Sequence, residues 1–484
     1  MRRFTPFLLS GIVALSACAD DPTALAPTSA APSFSESEEG GTYLVRFKGN
    51  GVPAEFASQV AAMGGEVIFA HPIGIAAVAG LSTGAAGQLA LLSSVAAVDA
   101  DAYGTLEEPD GAAPEMDESG LASPSNPAAA IRYPRQWHLQ VVQAAPAWSA
   151  GKLGVPSVKV GILDTGLDYL HPDLVGRVDL NLSRSFLSAA QNQLVQNTWP
   201  GAHPVADLHY HGTHVGSTVA SNGWISAGVT SNVTLVGLKI CTPGTPANGF
   251  RASCPFSSTL NAILYAADNG IPVINMSIGT FFPRTAAASG GTGQSLLALF
   301  NKVTNYAHRK GTTIVVAAGN DRGDMDHDGN TYRAFCSVAT VLCVSATGPT
   351  AATTVNGPWT NVDSLARYSN YGRSGVSVAA PGGNVGASVT AACSGFTLVT
   401  SLLPCRGRVY NSPSSWSGFS LGISGTSMAA PHVAGLAALI ASEGDSDPAR
   451  IRARIQQSAD DLGEPGMDPQ YGHGRINVRK ALGL

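Results

Sequence analysis

The sequence predicts an α/β domain with a mostly parallel central sheet, preceded by a small α+β module of the ferredoxin-like kind. Three observations carry this. From residue 131 on, continuous apolar runs such as "SVKVGILDTG" and "TTIVVAAGN" alternate with stretches of helical periodicity. Strands without polar alternation are buried on both faces, the condition of a parallel sheet covered by helices. Residues 42–105 carry the order β-α-β-β-α-β of the split βαβ motif. Between the two, residues 106–130, "LEEPDGAAPEMDESGLASPSNPAAA", are acidic, proline-rich and aperiodic, and read as an exposed linker open to proteolysis.

The N-terminus reads as a processing segment. Arg2 and Arg3 precede the apolar "FLLSGIVAL". "LSAC", residues 15–18, resembles a bacterial lipobox, which would make residues 1–17 a signal peptide and Cys18 the lipidated residue. An ordinary cleavage site at "ACA", residues 17–19, is the other reading. Either one exports the protein. Residues 18–41, rich in Ala, Pro, Ser and Thr, read as a flexible tether.

In the small module "TYLVRF", "EVIFAHP", "IGIAAVAGL" and "VAAVDADA" read as strands, and "AEFASQVAAMG" and "GAAGQLALLSS" as helices. In the domain spanning 131–484, "SVKVGILDTG", "IPVINMSIG", "TTIVVAAGN", "VLCVSAT" and "VSVAAPG" read as strands. "SSTLNAILYAADNG" and "QSLLALFNKVTNYAHRKG" read as helices ended by Gly270 and Gly311. "GISGTSMAAPHVAGLAALI" opens a further apolar helix at Ser427, with Pro431 near its start, where a missing N–H costs little. Ser427 there is a helix cap or a nucleophile.

Composition excludes some partners. The 28 basic and 33 acidic residues leave a net charge of −5, and no basic run tracks phosphates, so nucleic acid is not expected. No apolar stretch beyond the N-terminus has the length of a membrane span. With Cys18 set aside, six cysteines remain in an exported chain. Local pairing, Cys241–Cys254, Cys336–Cys343 and Cys393–Cys405, is the simplest arrangement, each bridge contributing about 2–4 kcal/mol. Buried free thiols are the other reading. No C-x-x-C pair points to zinc.

Three stretches carry chemistry: "GILDTGLDYLHPDL" with Asp164, "HYHGTHVGSTVA" with His211, and "SGTSMAAPHVAG" with Ser427. A serine hydroxyl needs a base to take its proton, histidine suits that task, and a carboxylate fixes the imidazole tautomer. The chain order is Asp, His, Ser. A lipase or esterase would show a G-x-S-x-G elbow and the order Ser, Asp, His, and neither occurs here.

The chain resembles the subtilisin family (subtilases, peptidase family S8) in "DTGLDYLHPDL", "HGTHVGSTVA", "GTSMAAPHVAGLAAL" and "VVAAGN", over about residues 136–482. The resemblance implies a subtilisin-like three-layer fold and a serine endopeptidase working through an acyl-enzyme. It assigns Ser427 as nucleophile, His211 as base and Asp164 as its orienter. Asn320 and the Ser427 N–H would form the oxyanion hole. Ser277, Ile278, Gly279, Ala317, Ala318 and Gly319 would line the substrate site. A catalytically dead relative would lack one of these groups, and all are present. His214 and His432 read as structural. Residues 42–105 resemble the family's inhibitory (I9-type) propeptide, which implies a self-processing zymogen whose leader helps a slow parallel sheet to fold.

No catalytic cofactor is expected. Structural calcium is one reading of Asp324, Asp326 and Asp328, the D-x-D-x-D-G start of a calcium loop; Phe335 stands at its twelfth position, and a solvated acidic loop is the other reading. The expected partners are protein or peptide substrates and the chain's own leader, with the membrane met only through a lipid and the chain a monomer. Cleavage in the linker would separate such a lipid from the catalytic domain. No charge is placed at the pocket base, which implies a broad or apolar preference.

Overall fold

The computed structural model describes residues 40–106, 113–117, 126–244, 251–284, 293–333, 335–399, 402, 405 and 418–484. The signal segment, Cys18 and nearly all of the tether lie outside them. The large domain is built on a seven-stranded sheet in the order Val378–Pro381, Val341–Thr347, Thr313–Ala317, Val273–Met276, Lys159–Asp164, Thr234–Lys239, Arg184–Ser185, every neighbouring pair parallel. Pleating divides each apolar strand between two cores. Val160 and Ile162 enter the core shared with helices His211–Val219 and Thr426–Ser442, whereas Leu163 faces helices Phe256–Asp268 and Gly293–Arg309. The predicted three layers are therefore present. Strand Thr234–Lys239 is absent from the sequence-based assignments, although its buried "TLVGLK" carries the same apolar signal.

The N-terminal module is a four-stranded antiparallel sheet, in the order Glu66–His71, Ile75–Leu81, Gly41–Phe47, Val95–Ala100, with helices Phe56–Ala62 and Thr83–Ala90. Alternation again splits the side chains. Val45, Phe47, Ala76 and Val78 form the module's own core with Phe56, Val60 and Leu89. Leu44, Ile75 and Ala77 join the core around Phe256 and Phe300, so the sheet lies across the two outer helices of the large domain. Two carboxylates pin it there. Asp101 accepts the Ser257 N–H at 2.9 Å and the Ser257 hydroxyl at 2.5 Å, at the start of Phe256–Asp268. Asp99 accepts the Ser295 hydroxyl at 2.6 Å, at the start of Gly293–Arg309. Negative charge is favoured at helix N-termini, yet burial still pushes the Asp101 carboxyl up to about 6.

The linker departs from expectation. Ala113–Asp117 is a strand paired with Gly418–Ile423, and Pro127–Ala129 is a short 3₁₀ turn capped by Asn126. No local pattern marks Ala113–Asp117 as a strand, because the pairing is supplied by a segment some 300 residues away. All three expected disulfides are present, Cys241–Cys254, Cys336–Cys343 and Cys393–Cys405.

Buried histidines give the core a pH dependence. His432 Nδ1 lies 2.8 Å from the Met428 carbonyl and must carry the proton there, so its Nε2 accepts from His138 Nδ1 at 2.8 Å. His214 Nε2 points at the Val389 and Leu421 carbonyls, each at 3.1 Å. Burial holds His432 down to about 4 and His214 to about 3, and lowers His138 as well. A histidine with a lowered folded-state pKa is protonated first in the unfolded chain, so stability is whole above about pH 6.5 and falls as pH drops toward the folded value. Buried carboxylates such as Asp101 work in the opposite direction, so one histidine's share is read as a difference. Chemical denaturation of wild type and His432→Gln should show the wild type losing about 1.4 kcal/mol more per pH unit between about pH 6 and 4.

Candidate active site

Asp164 ends its strand at the carboxyl edge of the sheet, where ligands bind in such folds. His211 opens the helix His211–Val219, and its Nδ1 lies 2.8 and 3.0 Å from the two Asp164 carboxylate oxygens. Both side chains are buried. The approach depends on Gly212. A Cβ there would lie 2.1 Å from the Gly166 carbonyl oxygen and 3.1 Å from the Asp164 Cβ. Only glycine lets the helix start this close to the strand end.

A second buried carboxylate, which sequence reasoning missed, holds this junction. Asp207 Oδ2 accepts the Thr213 N–H at 2.9 Å and the Thr213 hydroxyl at 2.6 Å. Its Oδ1 accepts the Thr165 hydroxyl at 2.7 Å and the His209 N–H at 3.0 Å. Thr165 follows Asp164 and Thr213 follows His211 by two, so Asp207 ties the two catalytic candidates' backbones together. Burial raises its pKa, with Asp164 adding repulsion. Lys239 is buried beside it, donating to the Ala206 carbonyl at 2.7 Å, and burial lowers its pKa to about 8 against the pull of Asp207. The signal was a threonine after each motif residue, which reads as ordinary turn chemistry in isolation.

Ser427 is the second residue of helix Thr426–Ser442. Pro431 is the sixth, well inside the helix rather than at its start. Its missing N–H is the one that would bond the Ser427 carbonyl four residues back. That carbonyl instead accepts the Ser277 hydroxyl at 2.7 Å, while the Ser427 hydroxyl donates to the Ser277 carbonyl at 3.1 Å. The proline thus frees an acceptor that locks the serine to the end of strand Val273–Met276.

Asn320 follows strand Thr313–Ala317, and its Oδ1 accepts both the N–H and the hydroxyl of Thr426 at 2.9 Å. This orients its amide nitrogen. A Cβ at Gly425 would lie 3.6 Å from Asn320 Nδ2 and 3.7 Å from the Ser427 N. Both donors therefore border one small space beside Gly425.

Ser277, Ile278 and Gly279 continue one strand and Ala317, Ala318 and Gly319 its parallel neighbour, with a Gly279 Cβ 3.9 Å from the Gly319 Cα. The structure brings these six residues together beside Ser427. Asn370 Nδ2 backs them, donating to the Ala318 carbonyl at 2.9 Å. A charge pair also stands here: Asp321 Oδ2 would be 3.6 Å from a Gly319 Cβ and is bonded to Arg333. The sequence alone placed no charge at this wall; Arg333 arrives only through the return of strand Thr331–Arg333.

Asp324, Asp326 and Asp328 are not gathered around one point. Asp324 pairs with His327, Asp326 accepts the N–H groups of Arg373 and Ser374, and Asp328 pairs with Arg284. Among the described residues no group of three or more His, Cys, Asp or Glu side chains could hold a metal ion. Position twelve, Phe335, offers no carboxylate, and two of the three aspartates are instead taken up by residues more than forty positions away. Two segments distant in sequence also pack together. Helix Ala189–Thr198, opened by a Ser188–Gln191 capping box, and Phe396 form a small apolar cluster with Ala206 and Leu208. The capping box itself was legible.

Residues 156–474 match the subtilase family of peptidases, and the chain belongs to that family, the subtilisin-like serine endopeptidases. It is 32% identical to a thermophilic serine proteinase of a Bacillus species over 69% of this chain and 64% of that one. It is 31% identical to thermitase of Thermoactinomyces vulgaris over 72% of this chain and 96% of that one. The fold matches the epidermin leader peptide processing serine protease of Staphylococcus aureus at a TM-score of 0.67 and 20% identity, over 92% of this chain and all of that one. Fervidolysin of Fervidobacterium pennivorans matches at 0.62 and 22%, over 94% of this chain and 62% of that one.

Two substitutions test this geometry. Gly425→Ala puts a methyl group against both donors, and steady-state kinetics should show kcat falling with KM nearly unchanged. The upper bound is about 10²–10³-fold, the scale known for loss of the asparagine donor in subtilisin itself. Asp207→Asn turns an amide toward four donors and strands Lys239. It should cost about 3 kcal/mol of folding stability by chemical denaturation.

Proposed function

We propose that the protein hydrolyses internal peptide bonds through Ser427, His211 and Asp164, and that residues 42–105 are an inhibitory leader which it cuts from itself. The observation that carries this is the buried Asp164–His211 pair at the sheet's carboxyl edge, with the His211 helix packed on the helix whose start carries the Ser427 N–H and hydroxyl. Ser427 Oγ attacks the scissile carbonyl and passes its proton to His211 Nε2. Asp164, bonded to Nδ1, keeps the imidazole in the tautomer whose Nε2 can accept and stabilises the imidazolium. The oxygen that gains charge is held by Asn320 Nδ2 and the Ser427 N–H, with the helix N-terminus adding its positive end. His211 returns the proton to the leaving amine. Water, deprotonated by His211, then attacks the acyl-enzyme and regenerates the serine. Subtilases need no catalytic cofactor.

The leader reading is supported by what lies in the cleft. Tyr103–Thr105 pairs antiparallel with Ser253–Pro255, and the Leu106 N–H bonds the Ala252 carbonyl at 3.2 Å. On its other side a Gly104 Cβ would lie 3.2 Å from the Gly279 carbonyl oxygen. The segment therefore runs as a strand between two strands, the way a substrate would bind, and it heads toward Ser277 and Ser427. The self-cut falls between this strand and Ala113. Export through the N-terminal segment, with lipid on Cys18, completes the reading, and the cut would leave that lipid on the leader. The Asp321–Arg333 pair keeps the pocket wall without net charge, which fits a broad or apolar preference.

Ser427→Ala in the full chain is expected to abolish casein hydrolysis and to leave the linker whole, read by gel and N-terminal sequencing. Peptide hydrolysis that survives the substitution would overturn the assignment.

A further inference from the structure

Ala113–Asp117 does more than the leader reading requires. It pairs antiparallel with Gly418–Ile423, with Ala113 opposite Gly422 and Asp117 opposite Gly418. The other edge of Gly418–Ile423 is taken by Val389–Ala392. Ile423 stands four residues before Ser427. The Ala113 end of the ladder is thus the end nearest the nucleophile, and the chain leads away from it. Tyr103–Thr105 lies along different partners, Ser253–Pro255 and Gly279. Residues 107–112, which join the two, lie outside the described residues. Described residues on both sides of 107–112 therefore form paired strands.

We propose that residues 113–117 stay paired to the edge of Gly418–Ile423 after the leader has been cut away, and there compete with the extended peptide stretch C-terminal to the bond being cut. This rests on the self-processing reading. A strand edge binds any extended peptide through its main chain. A cut before residue 113 leaves 113–117 tethered to the catalytic domain through residues 118–125. The tether makes the segment an intramolecular competitor at high effective concentration. The enzyme so formed is open to residues before the scissile bond and hindered for residues after it, until the arm is trimmed off.

Pro114 sharpens the geometry. Proline is tolerated in an edge strand where its nitrogen faces away from the partner. Alternation then turns the N–H groups of Ala113, Glu115 and Asp117 toward Gly418–Ile423. Glu115→Pro removes a central bond of this ladder without touching the catalytic residues.

The test uses the full chain, as wild type, Glu115→Pro and Ser427→Ala, with N-termini read after maturation. Two synthetic substrates share the residues before the scissile bond. One is an anilide with nothing but the leaving group after it, and the other continues for several residues. For Glu115→Pro, kcat/KM on the long peptide should rise about tenfold over wild type, with the anilide unchanged within about twofold. The free peptide "GAAPEMDES", residues 111–119, should inhibit the variant on the long peptide and not on the anilide. Equal kcat/KM for wild type and variant on both substrates, after correct cutting, would overturn this proposal alone. A linker left whole in the wild type, or cut in Ser427→Ala, would overturn the self-processing reading and this one with it.

Discussion

The site depends on one close approach, that of a helix start to a strand end. Asp164 and His211 can meet only because position 212 carries no side chain, and they stay together because Asp207 bonds the threonine beside each of them. A buried carboxylate is costly unless its lone pairs are filled. Asp207 has four donors within 3.0 Å. It carries no chemistry of its own, and the chemistry is unsupported without it.

The serine side is built on a complementary device. A proline placed six residues into a helix ordinarily weakens it. Here the vacated carbonyl belongs to Ser427, and the Ser277 hydroxyl fills it. The vacancy left by the proline thus fixes Ser427 against the end of strand Val273–Met276. Asn320, held by Thr426 through its oxygen, is fixed by the same helix turn. Ser427, the Asn320 amide and the end of strand Val273–Met276 therefore share one junction.

The N-terminal module meets this junction at a distance and through its tail. Its sheet uses one face for its own core and the other to cover two helices, and Asp99 and Asp101 cap those helices. The two helices pack on the strands whose ends form the cleft. The tail then reaches the cleft as a strand, and a second strand continues beyond it.

Much of this was legible from residues alone. Apolar runs without alternation gave the parallel sheet, because burial on both faces leaves little room for polar side chains. The motifs that resemble the subtilisin family's named Asp164, His211 and Ser427 as candidates, and local cysteine pairing gave the three bridges. Asp207, the Ser277–Ser427 exchange, the Asp321–Arg333 pair and the strand at Ala113–Asp117 were not legible. Each joins groups far apart in the chain or answers a vacancy made elsewhere, and no local pattern records a partner that only folding supplies. Of the two readings of Asp324, Asp326 and Asp328, the side chains follow the acidic loop, because arginine, histidine and backbone groups take up those carboxylates.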